Sequence, residues 1–96
     1  MGLLGNLSEL NKLRRQAGQL KQELAQERLE GSGLSGQVKI IIDGNQEVQE
    51  VDIREELLSP PRKEELENAI KECLAECHIK LQQMMMRRMQ DGNLNL

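Results

Sequence analysis

Ninety-six residues without one Phe, Tyr or Trp make a single domain (1–96) with an aliphatic and thioether core, and leave no aromatic platform on which single-stranded bases would stack. No stretch approaches the ~20 apolar residues a bilayer-spanning helix requires, and the amino terminus lacks a basic segment ahead of an apolar run, so the chain reads as intracellular, with no membrane partner. The formal charge of −3 does not exclude a polyanion, because screening confines each local field to about 8–10 Å.

Residues 1–29 carry five basic side chains (Lys12, Arg14, Arg15, Lys21, Arg28) against three acids, a local surplus of cations. Met1-Gly2 begins like a myristoylation signal, but Asn6 and Leu7 supply no Ser or Thr where that signal needs one. The spacing predicts a helix over 3–29 with a heptad seam: Leu3, Leu10, Ala17 and Leu24 at a, Leu13 and Leu20 at d. Arg14, Lys21 and Arg28 fall at e, and Glu9, Gln16, Glu23 and Glu30 at g. In a parallel two-stranded coil this register sets Glu9 against Arg14 and Glu23 against Arg28 of a second copy. The same seam also fits a helix packed antiparallel on the chain's own second helix, with its charges solvated.

Glu30-Gly31-Ser32-Gly33-Leu34-Ser35-Gly36 ends the helix, since each Gly costs about 0.8–1 kcal/mol in a helix interior. No Gly-Lys-Ser/Thr follows, so the segment reads as a bend into a strand rather than a phosphate cradle. Val38, Ile40 and Ile42 then alternate, Asp43-Gly44 is a hairpin-turn dipeptide, and 46–53 supplies the returning strand. The mixed parity of Val48, Val51 and Ile53 predicts a bulge or a cover on part of the second face. Two strands alone are marginal, so within a sheet spanning 30–54 either Gly31–Leu34 adds a third strand or a dimer completes the sheet. Residues 30–78 hold five basic against twelve acidic side chains, the acidic middle of the chain.

Ser59-Pro60-Pro61 starts a second helix over 60–89, with Glu64, Glu65 and Glu67 where the positive helix end favours acids. Leu66, Ile70, Cys73, Cys77, Leu81 and Met84 form one stripe, flanked by Ala69, Leu74 and Met85, and the tail 90–96 reads as frayed. Cys73 and Cys77, with His78 beside them, fall short of the about four ligands a zinc site needs, so they read as structural thiols with no metal. Met84-Met85-Met86 and Met89 fit core, a contact with the first helix, or an exposed row. Arg87 and Arg88 end the helix, where the dipole favours cations. Helix, antiparallel sheet and helix in this order make an α+β domain.

One His, no nucleophile beside a base, no metal-ligand set and no cofactor loop give no catalytic constellation, hence neither enzyme activity nor a small-molecule substrate. Lys12, Arg14, Arg15, Lys21, Arg28, Arg87 and Arg88 on the two terminal helices are the candidate DNA contacts. The alternative is a coiled-coil adaptor that binds a protein through its Leu or Met rows and no DNA.

Gly31, then Gly36-Gln37-Val38-Lys39-Ile40, Gly44, Val51-Asp52-Ile53, and Lys63-Glu64 followed by Leu66-Glu67 and Ile70, resembles the YbaB/EbfC family of bacterial nucleoid-associated proteins over Leu10 to Leu81. The resemblance implies a tweezer-like homodimer whose helices project from a central sheet and bind duplex DNA with low sequence preference. It also implies a cytoplasmic, nucleoid location and broad effects on transcription. Its DNA contacts lie on the terminal helices, which carries over the seven cations just named. The chain departs from the family where Glu72-Cys73-Leu74-Ala75-Glu76-Cys77 replaces the usual Ala-Ala-x-Asn-Asp-Ala, and where Asn68-Ala69 replaces Asp-Leu, positions that the resemblance puts near dimer packing.

Overall fold

A computed structural model describes residues 3–92, with side chains from Asn6 onward; the Met1-Gly2 start and residues 93–96 of the expected frayed tail lie outside it. In chain order the elements are α1 (Leu3–Ala25), β1 (Leu29–Gly33), β2 (Val38–Ile42), β3 (Val48–Ile53), two 3-10 turns (Glu55–Leu57 and Pro60–Arg62) and α2 (Lys63–Gln90). The architecture is α+β, and the optional third strand is real: β1, β2 and β3 form an antiparallel sheet in that order.

α1 ends at Ala25, short of the expected 29. Its last carbonyls are taken by tightened turns, Gln26 N–H to Glu23 O and Glu27 N–H to Leu24 O at 3.1 Å each, and by the Arg28 guanidinium, which donates to Ala25 O at 2.9 Å. Ending there frees Leu29 to be buried on the inner face of β1. The turn from β1 to β2 passes through left-handed backbone at Leu34, Ser35 and Gly36 (φ 51, 57 and 84°). Only the last of the three is the glycine that adopts this region without penalty.

Ile40 pairs with Val51 and Ile41 with Glu50, but Ile42 pairs with Val48, so Gln49 is an extra residue on β3. This bulge accounts for the irregular parity of the third strand: Val48, Val51 and Ile53 all share the inner face with Ile42, Ile40 and Val38. α2 crosses that face over β1 and β2. It starts at Lys63, because Pro60–Arg62 forms a separate 3-10 turn, and Arg62 Nε ties to Glu65 at 2.7 Å.

The buried set is Leu24, Leu29, Val38, Ile40, Ile42, Leu57, Ala69, Cys73, Cys77 and Met84. Of the predicted α2 stripe, Cys73, Cys77 and Met84 are buried and Leu66, Ile70 and Leu81 half-buried, while Ala69, expected only to flank it, begins the buried row and Leu74 is left exposed. Of the methionines, Met84 belongs to the core, Met85 is half-buried, and Met86 and Met89 are exposed. The Cys73 thiol donates to Val38 O at 3.3 Å and the Cys77 thiol to Ile40 O at 3.4 Å, so both act as small buried donors to β2.

α1 joins this core only through its last turns. Leu24 is buried and Leu20 half-buried, whereas Leu7, Leu10 and Leu13 are 44–50 % exposed. The heptad seam therefore splits: its carboxyl end serves the chain's own sheet, and its amino end projects. The molecule measures 68 × 25 × 17 Å, with a radius of gyration of 19.0 Å. A compact domain of this length would have about 12–13 Å.

Candidate nucleic-acid interface

Lys12, Arg14, Arg15 and Lys21 are all exposed along α1, the first three on its projecting part, and none forms an ion pair with a carboxylate of the described residues. At 1.5 Å rise per residue they span about 14 Å of helix. Lys12 and Arg15, three apart, share one flank, while Arg14 and Lys21, seven apart, share another. Such an array presents cations along the helix, which suits phosphate contact.

The other three cations are placed differently. Arg28 folds back onto the end of its own helix, donating to Ala25 O and Glu27 O at 2.9 Å each. Arg87 is exposed and lines a shallow concavity of about 210 Å³ with Glu27, Met84, Arg88 and Asp91. Arg88 is largely enclosed, its side chain 14 % exposed, and bonds two carboxylates at the base of the arm: Glu23 of α1 at 3.2 Å and Glu27, two residues past its end, at 2.8 Å. The chain thus brings Arg87 and Arg88 to the base of the α1 arm and leaves Lys12, Arg14 and Arg15 about 12–16 Å further out along it.

Two features escaped the sequence. The first is the Arg88 pairing, because partners 61 and 65 residues apart leave no local spacing to read. The second is Asp43, read only as half of a turn dipeptide. It is 1 % exposed and accepts from Asn45 N–H at 2.8 Å, Glu47 N–H at 3.0 Å and the Gln49 amide at 2.9 Å. Burial alone pushes its carboxyl up; the hydrogen bonds from Glu47, Asn45 and Gln49, with the charge of Arg28, outweigh that and hold it below the ordinary carboxylate value. The same turn fastens the arm: Gly44 N–H donates to Leu24 O at 2.8 Å and the Asn45 amide to Lys21 O at 3.0 Å.

The outer face of the sheet is acidic, with Lys39 set among Glu30, Glu50 and Asp52. Charge is therefore segregated, cations along the arm and acids on the sheet. Among the described residues no three His, Cys, Asp or Glu side chains come together as metal ligands, and no helix is long and apolar enough to cross a membrane. Burial pushes the thiols of Cys73 and Cys77 up, away from the thiolate that metal binding needs.

Fold and charge together define a small α+β protein that carries a cationic helix as an arm on a three-stranded sheet. The chain belongs to the YbaB/EbfC DNA-binding family, whose family model matches residues 1–95. It is thus a DNA-binding, nucleoid-associated protein by family. Its fold is similar to that of the uncharacterized protein HP0035 from Helicobacter pylori, whose crystal structure gives a TM-score of 0.75 at 16 % identity and covers 99 % of both chains. A search of the curated proteins finds no match.

Proposed function

We propose that the chain works as a homodimer that binds duplex DNA with low sequence specificity in the cytoplasm, organising the nucleoid and thereby affecting transcription, without catalysis. The observation that carries this reading is the set of four exposed cations on α1, unpaired among the described residues, in a chain whose net charge is −3. Lys12, Arg14, Arg15 and Lys21, with Arg87 at the base, are the phosphate contacts in this reading. Each phosphate neutralised releases counterions, so affinity falls with salt at a slope of about −0.9 per contact.

Two observations support the homodimer. The chain exposes 7246 Å², where a folded monomer of its mass exposes about 5,600 Å²; the excess exceeds the roughly 800 Å² each partner buries in a standard interface. Val48 and Val51 are 57 % and 53 % exposed, although they share the inner sheet face with Val38 and Ile40, which are 0 % and 5 % exposed. A second copy seated there would complete the core. The acids Glu50 and Asp52 on β3 oppose direct edge-to-edge pairing of two sheets, so face-to-face docking is the favoured geometry.

A second reading rests on the exposed Leu7, Leu10 and Leu13, which suit a protein partner of a coiled-coil adaptor. The deciding experiment is a salt titration of binding to a random-sequence duplex, with the mass measured at the same concentrations. A dimer with a steep log–log salt slope supports the proposal. Arg14→Glu with Arg15→Glu should then abolish binding while the dimer persists. Absence of binding at low salt defeats it, and salt-insensitive capture of a protein partner supports the adaptor.

A further inference from the structure

We infer that Arg88 is a positioning residue for the α1 arm and not a phosphate contact: its guanidinium clamps Glu23 and Glu27 and so fixes the angle at which Lys12, Arg14 and Arg15 meet DNA. The inference rests on the DNA-binding reading for its consequence, though not for its geometry.

The arm is held like a cantilever. Every described attachment lies between Leu20 and Arg28: Leu24 in the core, Gly44 N–H on Leu24 O, the Asn45 amide on Lys21 O, and the two Arg88 ion pairs. Residues 6–15 are exposed without exception. Of these attachments only the Arg88 clamp comes from the carboxyl end of α2, and it grips one carboxylate near the end of α1, Glu23, and one in the link from α1 to β1, Glu27. By bridging the last turns of the helix to the link that enters β1, the guanidinium braces the joint about which the arm would swing. From Glu23 to Lys12 the arm is about 16 Å long, so a 20° swing at the base moves Lys12 by about 6 Å, more than the ~3.4 Å axial rise from one phosphate to the next on a strand.

The guanidinium is also badly placed to meet phosphate. Its NH1 and NH2 are committed to Glu23 and Glu27, the side chain is 14 % exposed, and Nε is buried without a protein partner among the described residues. To reach DNA it would have to break both ion pairs and leave two carboxylates facing the duplex. Arg87, its neighbour, is exposed and outside the clamp.

The test uses opposite charge changes. Arg88→Gln removes a positive charge; Glu23→Gln with Glu27→Gln removes two negative ones. A positioning role predicts the same result from both: duplex affinity falls about three- to tenfold, as expected for losing one ion-paired network. A phosphate contact predicts opposite results, with Arg88→Gln weakening binding and the double variant strengthening it. Arm geometry is read independently by electron–electron spin distances between labels at Asn11→Cys and Gln82→Cys, both exposed, in protein diluted with unlabelled chains. Cys73 and Cys77, at 0 % exposure, stay unlabelled. The distance distribution should broaden in both variants and stay sharp in Arg15→Gln, which should instead lower the salt slope by about 0.9 for each arm engaged. Opposite affinity changes, or distances as sharp as in the parent, overturn the inference. Failure of the parent chain to bind duplex would defeat the DNA reading and leave the spin distances to decide the clamp.

Discussion

Gly31 on β1 lies directly beneath Cys73 on α2, so close that a Cβ built on Gly31 would overlap the Cys73 carbonyl oxygen and stand 2.8 Å from Cys77 Sγ. Gly33 stands in the same relation to the Ala69 backbone. Strand and helix therefore meet backbone to backbone, and the obstacle to a methyl group is main chain that cannot rotate away. Gly31→Ala should cost about 3 kcal/mol or more, at the upper end of overpacking penalties. Gly18→Ala, where nothing lies within 4 Å, should instead stabilise α1 by up to about 1 kcal/mol. Urea denaturation of the two variants checks both; similar midpoints would mean that α2 does not pack this closely.

The same contact makes the thiols inert. Cys73 and Cys77 are fully buried, each donates to a β2 carbonyl, and burial pushes both above the ordinary thiol value, the neighbouring Glu72 and Glu76 adding to it at Cys73. Ellman's reagent at pH 8 should find no reactive thiol in the native protein and two after unfolding. Rapid native reaction of either cysteine would contradict the packing described for α2.

The β1 glycines show what could be read in advance and what could not. Gly31 and Gly33 announced the end of a helix, and Asp43-Gly44 the hairpin, because those residues act through their own backbone. The bulge was legible from the parity of Val48, Val51 and Ile53. The reason for the β1 glycines lay instead in a helix some forty residues later, which no local pattern encodes. Charge behaved likewise: the seven cations could be counted, but only folding separates exposed Lys12, Arg14, Arg15 and Lys21 from Arg88, whose partners are distant in sequence. The heptad seam was read as one unit because periodicity does not reveal that Leu24 is buried against the sheet while Leu10 projects.

Asp43 gives a pH dependence whose sign is fixed. Its carboxyl is depressed in the folded protein, so its contribution to stability is present above the unfolded-state value of about 3.9 and is lost as pH falls through the lower folded value. Stability should therefore decline below about pH 4. Asp43→Asn should be less stable at pH 7, because the N–H groups of Asn45 and Glu47 lose a charged acceptor, and should lose less than the parent on acidification. Urea midpoints between pH 7 and 2.5 measure this; parallel curves for the two proteins would show that Asp43 does not contribute to the acid sensitivity.

Val51 offers the sharpest test of the dimer. It is on the inner sheet face opposite Ile40 yet 53 % exposed, so a lysine there would be tolerated by an isolated protomer, its ammonium reaching water past the uncovered edge of β3. If a second copy covers that face, the same lysine would be buried without a partner, at a cost of about 2 kcal/mol or more, and the dimer should weaken by at least roughly thirtyfold. Sedimentation equilibrium of Val51→Lys should then show a monomer at concentrations where the parent is dimeric, with an unchanged helical circular dichroism spectrum. Duplex affinity should fall with it, since two linked arms engage DNA far more tightly than one. A Val51→Lys protein that stays dimeric would move the interface elsewhere, and the exposed Leu7, Leu10 and Leu13 of α1 would be the next surface to substitute.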